Sequence, residues 1–216
     1  MTLTSYRKEP KSGTADSLVV FLHGFGADGK DLLGLADPLA DYLPNTVFVS
    51  PDAPSRCSVN PMGYQWFPIP RMDGSSEEAA IAGMQTAVGA LDEFLDELAE
   101  STKIAPQRTV LVGFSQGTMM SLHVAPRRAE ALAGVVGFSG LLRNPQDLEQ
   151  EIKHRSPVLL VHGDADDVVP YAEMAKAADV LAALDVPTYT HTSPNTAHGI
   201  APDGLSQALA FIKQVL

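Results

Sequence analysis

The chain has 216 residues, 45% of them apolar, and 26 acidic against 15 basic side chains leave a formal charge of −11. That length suits one buried core, and the charge argues against binding nucleic-acid phosphates or an anionic lipid surface, since either needs a basic patch. One cysteine, Cys57, excludes an internal disulfide and fits a reducing compartment, and no stretch approaches the roughly 18–20 apolar residues of a membrane span.

At the N-terminus no basic segment leads into an apolar one, so the expected location is cytoplasmic, without integral membrane association. Residues Leu3–Lys8 suggest an antiparallel edge strand. Apolar runs at Leu18–Leu22, Val47–Val49, Val110–Val112, Gly134–Phe138 and Val158–Val161 read as buried strands, with a last strand over Val186–His191. Helical patterns fall at about Leu32–Leu43, Glu77–Ala99, Thr118–Ala125, Leu148–His154 and Glu173–Leu184. The alternation predicts an α/β fold, a mainly parallel sheet with helices on both faces. Neither linker nor internal repeat divides residues 1–216, so one domain is expected. A proline-rich stretch at about 51–75 is predicted to be a lid-like loop and not a helix. Cys57 within it reads as a packed loop residue or as a reactive thiol.

Gly113-Phe-Ser-Gln-Gly117 joins the strand run Val110–Val112 to the helical run from Thr118. Such a sharp strand-to-helix turn is a nucleophile elbow: it strains the serine backbone and needs glycines on either side, where side chains would collide. Ser115 is thereby held at a helix N-terminus, which favours a developing anion. A similar segment, Gly137-Phe-Ser-Gly140, has Leu141 at the fifth position, so Ser139 reads as a packed strand-end residue.

A serine hydroxyl needs a base in hydrogen-bond reach and a third group to orient it. Of six histidines, His198 is the candidate base, because Asn195-Thr-Ala-His-Gly199 is a small loop after the last strand, where such sheets assemble sites. His123 and His154 fall in helical patterns, and His191 lies in a strand. His23 and His162 end apolar runs near the site without serving as the base. The loop after Val161 offers Asp164, Asp166 and Asp167 as orienting carboxylate, and spacing does not choose among them. Oxyanion donors are available in the backbone N–H groups of Gln116, directly after Ser115, and of Phe25, after the early His23-Gly24 turn; the Phe25 ring can also form an apolar wall.

With these segments the chain resembles the carboxylesterase, phospholipase and acyl-protein thioesterase family of small α/β-hydrolases over almost its whole length. The motifs that carry the resemblance are Leu22-His-Gly-Phe-Gly26, Gly113-Phe-Ser-Gln-Gly117, His162-Gly-Asp-Ala-Asp-Asp-Val-Val-Pro170 and Ala197-His-Gly199, with Gln65-Trp-Phe67 as a further signal. The glycine after His198 leans toward the bacterial carboxylesterase branch. The resemblance implies Asp166 as the carboxylate, beside Ser115, His198 and the Phe25 and Gln116 N–H donors. It implies a hydrolase of acyl esters, such as a carboxylesterase, lysophospholipase or acyl-thioesterase, with a small acyl ester or thioester as partner.

Two rival readings stand beside it, a serine peptidase or amidase on the same fold and a non-catalytic binding module. No Cys/His cluster, Walker loop or dinucleotide fingerprint occurs, so neither cofactor nor metal is implied; a weak homodimer is compatible with the sequence. Met62, Tyr64, Trp66, Phe67 and Ile69 give the lid-like loop more apolar surface than solvated loops need. Trp66 and Phe67 therefore either bind substrate as an acyl wall or anchor the loop to the core.

Overall fold

The computed structural model describes residues 3–216. In chain order its elements are β1 (Ser5–Lys8), β2 (Ser17–Leu22), α1 (Gly29–Leu33), α2 (Ala36–Ala40), β3 (Thr46–Pro51), β4 (Ser55–Arg56), β5 (Tyr64–Gln65), α3 (Pro70–Asp73), α4 (Glu77–Thr102), β6 (Thr109–Phe114), α5 (Gln116–Val124), β7 (Gly134–Phe138), α6 (Pro145–Glu151), β8 (Val158–Gly163), α7 (Ala172–Ala183), β9 (Thr188–Ser193) and α8 (Pro202–Val215). Seven strands form one sheet in the order β1-β3-β2-β6-β7-β8-β9. β1 runs antiparallel against β3, and the other neighbours are parallel.

The continuous apolar runs follow from a sheet covered on both faces. Side chains alternate across a strand, so Leu18, Val20 and Leu22 of β2 join the layer of α4, α5 and α7, while Val19 and Phe21 join that of α1, α2 and α8. The long helix α4 starts at Ser76, whose hydroxyl accepts from Ala79 N, and Glu77 and Glu78 complement the helix dipole in its first turn. Its buried Ala80, Met84, Ala87, Leu91, Phe94 and Leu98 recur at helical spacing and face the sheet.

Three expectations need correction. The helical pattern over Leu32–Leu43 is broken into α1 and α2, because Pro38 has no N–H to donate to the carbonyl of Gly34. The lid-like loop contains the two-stranded β4–β5 ribbon and the one-turn helix α3. Pro70 is tolerated in its first turn, where N–H groups lack intrahelical acceptors, and Gly74 closes it in a left-handed conformation. Helix α8, absent from the expected set, buries Gly204, Ala208, Phe211 and Ile212 along one face.

Because the central strands are parallel, the loops after β2, β6, β8 and β9 meet at one edge of the sheet, where such folds place ligands. Among the described residues, no helix is long and apolar enough to cross a membrane.

Candidate active site

The turn from β6 into α5 fixes the first group. Ser115 sits at φ 53° and ψ −113°, a conformation that L-residues avoid and that persists only where surroundings impose it. The surroundings are visible. A Cβ on Gly117 would stand 1.8 Å from Leu22 O, and one on Gly113 would stand 2.4 Å from Thr118 N, so β2, β6 and α5 approach this closely only with glycine at both positions. Ser115 N donates to Phe138 O at 2.9 Å, which ties the turn to the end of β7.

His198, in the loop after β9, places Nε2 3.0 Å from Ser115 Oγ and Nδ1 2.8 Å from Asp166 Oδ2. A carboxylate only accepts, so Nδ1 carries the proton and Nε2 faces the serine hydroxyl as an acceptor. The Phe114 ring, 4.9 Å from the imidazole between centroids, packs against it. Of the three aspartates, only Asp166 reaches the histidine. The Asp164 carboxylate accepts from Asn195 N at 2.6 Å, which joins the loops after β8 and β9, and Asp167 is exposed.

Asp166 is nearly buried, yet its pKa lies below the usual carboxylate value. Burial pushes it up, but the hydrogen bond from His198 and those from Val169 N and Val168 N outweigh that push. Both backbone donors reach Oδ1, at 2.9 and 3.0 Å. His162, which spacing placed near the site, has Nε2 3.1 Å from Asp166 Oδ2 and 3.0 Å from Val169 O.

The Phe25 N–H belongs to the turn after β2 that lies against Ser115. A Cβ on Gly24 would be 3.4 Å from Ser115 Cβ. Gln116 opens α5, so its backbone N–H has no intrahelical acceptor. Both candidate oxyanion donors therefore come from segments that border Ser115.

Trp66 and Phe67 are buried, at 0% and 1% exposure, and neither presents a face to an incoming substrate. Trp66 Nε1 donates to His23 O at 3.0 Å, and Trp66 N donates to Gln116 Oε1 at 2.8 Å. This placement is that of an anchor to the core. Cys57 is buried in the same loop. Arg71 of α3 donates to Val168 O at 2.9 Å, so the loop is also fastened to the segment that carries Asp166.

Two groups gain a role that the sequence did not indicate. The Gln116 side chain holds Trp66 N and, through Nε2 at 2.7 Å, Phe67 O. The His23 ring accepts from Ala53 N at Nε2 and so donates from Nδ1 to Gly24 O at 2.7 Å. Spacing carries no signal for either contact, because both depend on how the lid-like loop folds back. Ser139 also sits at positive φ, buried, with an unpartnered hydroxyl, and no contact joins it to His198. Among the described residues, no three His, Cys, Asp or Glu side chains are grouped to hold a metal ion.

Residues 7–216 match the family model described as phospholipase/carboxylesterase. Among curated relatives, acyl-protein thioesterase 1 of Saccharomyces cerevisiae is 27% identical, over 99% of both chains, and that of Gibberella zeae is 27% identical, over 96% of this chain and 94% of its own. Among solved structures, esterase PE8 superposes with a TM-score of 0.94 at 44% identity over the whole of both chains. The Zea mays acyl-protein thioesterase 2 gives 0.75 at 25% identity over 98% of each. The chain belongs to the phospholipase/carboxylesterase family.

Proposed function

We propose that the protein is a serine hydrolase that cleaves acyl esters, and thioesters by the same route, through an acyl-enzyme on Ser115. The observation that carries this reading is the unbroken chain Ser115 Oγ, His198 Nε2, His198 Nδ1, Asp166 Oδ2, with contacts of 3.0 and 2.8 Å. Ser115 Oγ attacks the acyl carbonyl while His198 Nε2 takes its proton. Asp166 holds the imidazole in the tautomer that can do so and stabilises the imidazolium. The carbonyl oxygen becomes an oxyanion, for which the N–H groups of Phe25 and Gln116 are the donors. As the tetrahedral species collapses, the carbon–oxygen or carbon–sulfur bond breaks, and His198 passes the proton to the departing alcohol or thiol. Water then attacks the acyl-enzyme with His198 again as base, releasing the carboxylic acid and restoring Ser115.

The relatives named as esterase and as thioesterases support an activated acyl group as substrate. A small acyl ester or thioester is the expected partner, acting at one domain that spans the chain. Purified protein offered p-nitrophenyl esters, an alkyl thioester and the matching anilides tests the reading. Turnover of the first two with the anilide at least a hundredfold slower supports it. Preference for the anilide points to an amidase, and no turnover together with no fluorophosphonate labelling points to a binding module.

A further inference from the structure

The lid-like loop is stitched to both halves of the candidate oxyanion site. On one side, Gly26 N donates to Tyr64 O at 2.8 Å and Tyr64 N donates to Ala27 O at 2.7 Å, so the turn containing Phe25 pairs with β5. Two residues on, Trp66 Nε1 binds His23 O. On the other side, the Gln116 side-chain amide accepts from Trp66 N and donates to Phe67 O. Trp66, His23 and Gln116 are all 0% exposed, so water cannot replace these bonds.

The peptide group linking Gly24 to Phe25 is planar and trans, with its C=O and N–H pointing in opposite directions. The His23 ring holds the Gly24 carbonyl, which aims the Phe25 N–H the other way. His23 keeps Nε2 free of a proton to accept from Ala53 N. Burial lowers its pKa, and the bond to Gly24 O opposes this only in part. A neutral ring can therefore hold both contacts at once.

We propose that Trp66 is a positioning residue that sets the separation of the Phe25 and Gln116 N–H groups, acting through the His23 carbonyl at one end and the Gln116 amide at the other. The proposal rests on the reading of those two N–H groups as oxyanion donors. A donor displaced by a few tenths of an ångström still leaves the substrate carbonyl in place and loses mainly the transition state, because the oxyanion forms only there.

The test compares Trp66→Phe, which keeps the buried ring and the backbone N–H but deletes the indole donor, with Gln116→Met, which keeps length and volume but deletes both amide bonds. Each is assayed for kcat and KM on a p-nitrophenyl ester, for inhibition by an alkyl boronic acid that mimics the tetrahedral species, and for the pH midpoint of kcat/KM. The expected result is a loss of about tenfold in kcat for each variant. KM should stay within about twofold, boronate affinity should weaken by the same factor as kcat, and the pH midpoint should be unmoved because Ser115, His198 and Asp166 are untouched. Unchanged kcat with a lowered melting temperature, or a raised KM at constant kcat, overturns the proposal, and Gln116→Met decides it alone if Trp66→Phe does not fold. Absence of fluorophosphonate labelling in the wild type would instead overturn the serine-hydrolase reading itself.

Discussion

His162 Nε2 lies 3.1 Å from Asp166 Oδ2, the same oxygen that receives His198 Nδ1 at 2.8 Å. With Val168 N and Val169 N on Oδ1, the carboxylate is held from both of its oxygens in a nearly dry position. The hydrogen bond of His162 Nε2 goes to Val169 O at 3.0 Å, in the turn whose N–H groups hold Asp166, so His162→Phe should lose up to about tenfold in kcat/KM, the worth of one neutral hydrogen bond. His162→Gln, which still donates, should recover part of the loss. Equal activity in the two variants would remove this role for His162.

The three aspartates of the loop after β8 should separate by function. Asp166→Asn is expected to lose on the order of 10⁴ in rate, because the amide can hold His198 in the wrong tautomer, whereas Asp164→Asn keeps an acceptor for Asn195 N and should cost little. The pKa of Asp166 is depressed in the fold, so its contribution to stability is present above the ordinary carboxylate value and is lost as the pH falls through the folded value. Denaturant titrations below about pH 4 should show a shallower acid limb for Asp166→Asn than for the parent.

Strain at Ser115 sets function against stability. Ser115→Ala should lose about 10⁶-fold in turnover with little change in melting temperature, since the backbone stays at φ 53°. Ser115→Gly should be equally inactive yet more stable by about 1 kcal/mol, because glycine adopts that backbone without strain. Calorimetry of the two purified variants checks the difference.

Burial of Trp66 predicts the effect of Trp66→Ala. Truncating a fully buried indole should cost about 3–5 kcal/mol of stability. Ester turnover at low temperature should fall by a similar factor for acetate and hexanoate, since the ring presents no face to the acyl chain. Loss that grows with acyl length would restore the acyl-wall reading.

His123 supplies a pH-dependent term away from the site. Burial, and next the nearby Arg127 charge, lower its pKa from 6.5 to about 4, so the unfolded chain binds a proton that the fold refuses between those values. Stability should fall as the pH drops through that window, by on the order of 1–2 kcal/mol after allowance for the partial exposure of the ring. His123→Gln should flatten this part of the curve, and an unchanged slope would show that His123 does not contribute.

The central strands were legible because burial on both faces leaves continuous apolar runs, and the turn at Ser115 was legible because two close backbone approaches demand Gly113 and Gly117. Choosing among Asp164, Asp166 and Asp167 lay beyond spacing. The choice depends on the loop after β8 pairing with the loop after β9, where Ala165 N meets Thr196 O, a contact between residues far apart in sequence. The Gln116 amide and the His23 ring were illegible for the same reason. Helix α8 carried its signal openly, with Ala208, Phe211 and Ile212 at helical spacing behind Pro202. The break between α1 and α2 was written in Gly34 and Pro38.

The central claim is that Ser115 forms the acyl-enzyme. The measurement that bears on it most directly is peptide mapping by mass spectrometry after stoichiometric reaction with a fluorophosphonate. One adduct on the peptide containing Gly113–Gly117, with ester turnover lost in proportion to labelling, is the predicted result. An adduct on Ser139 or elsewhere, or full turnover after Ser115 is modified, would contradict it.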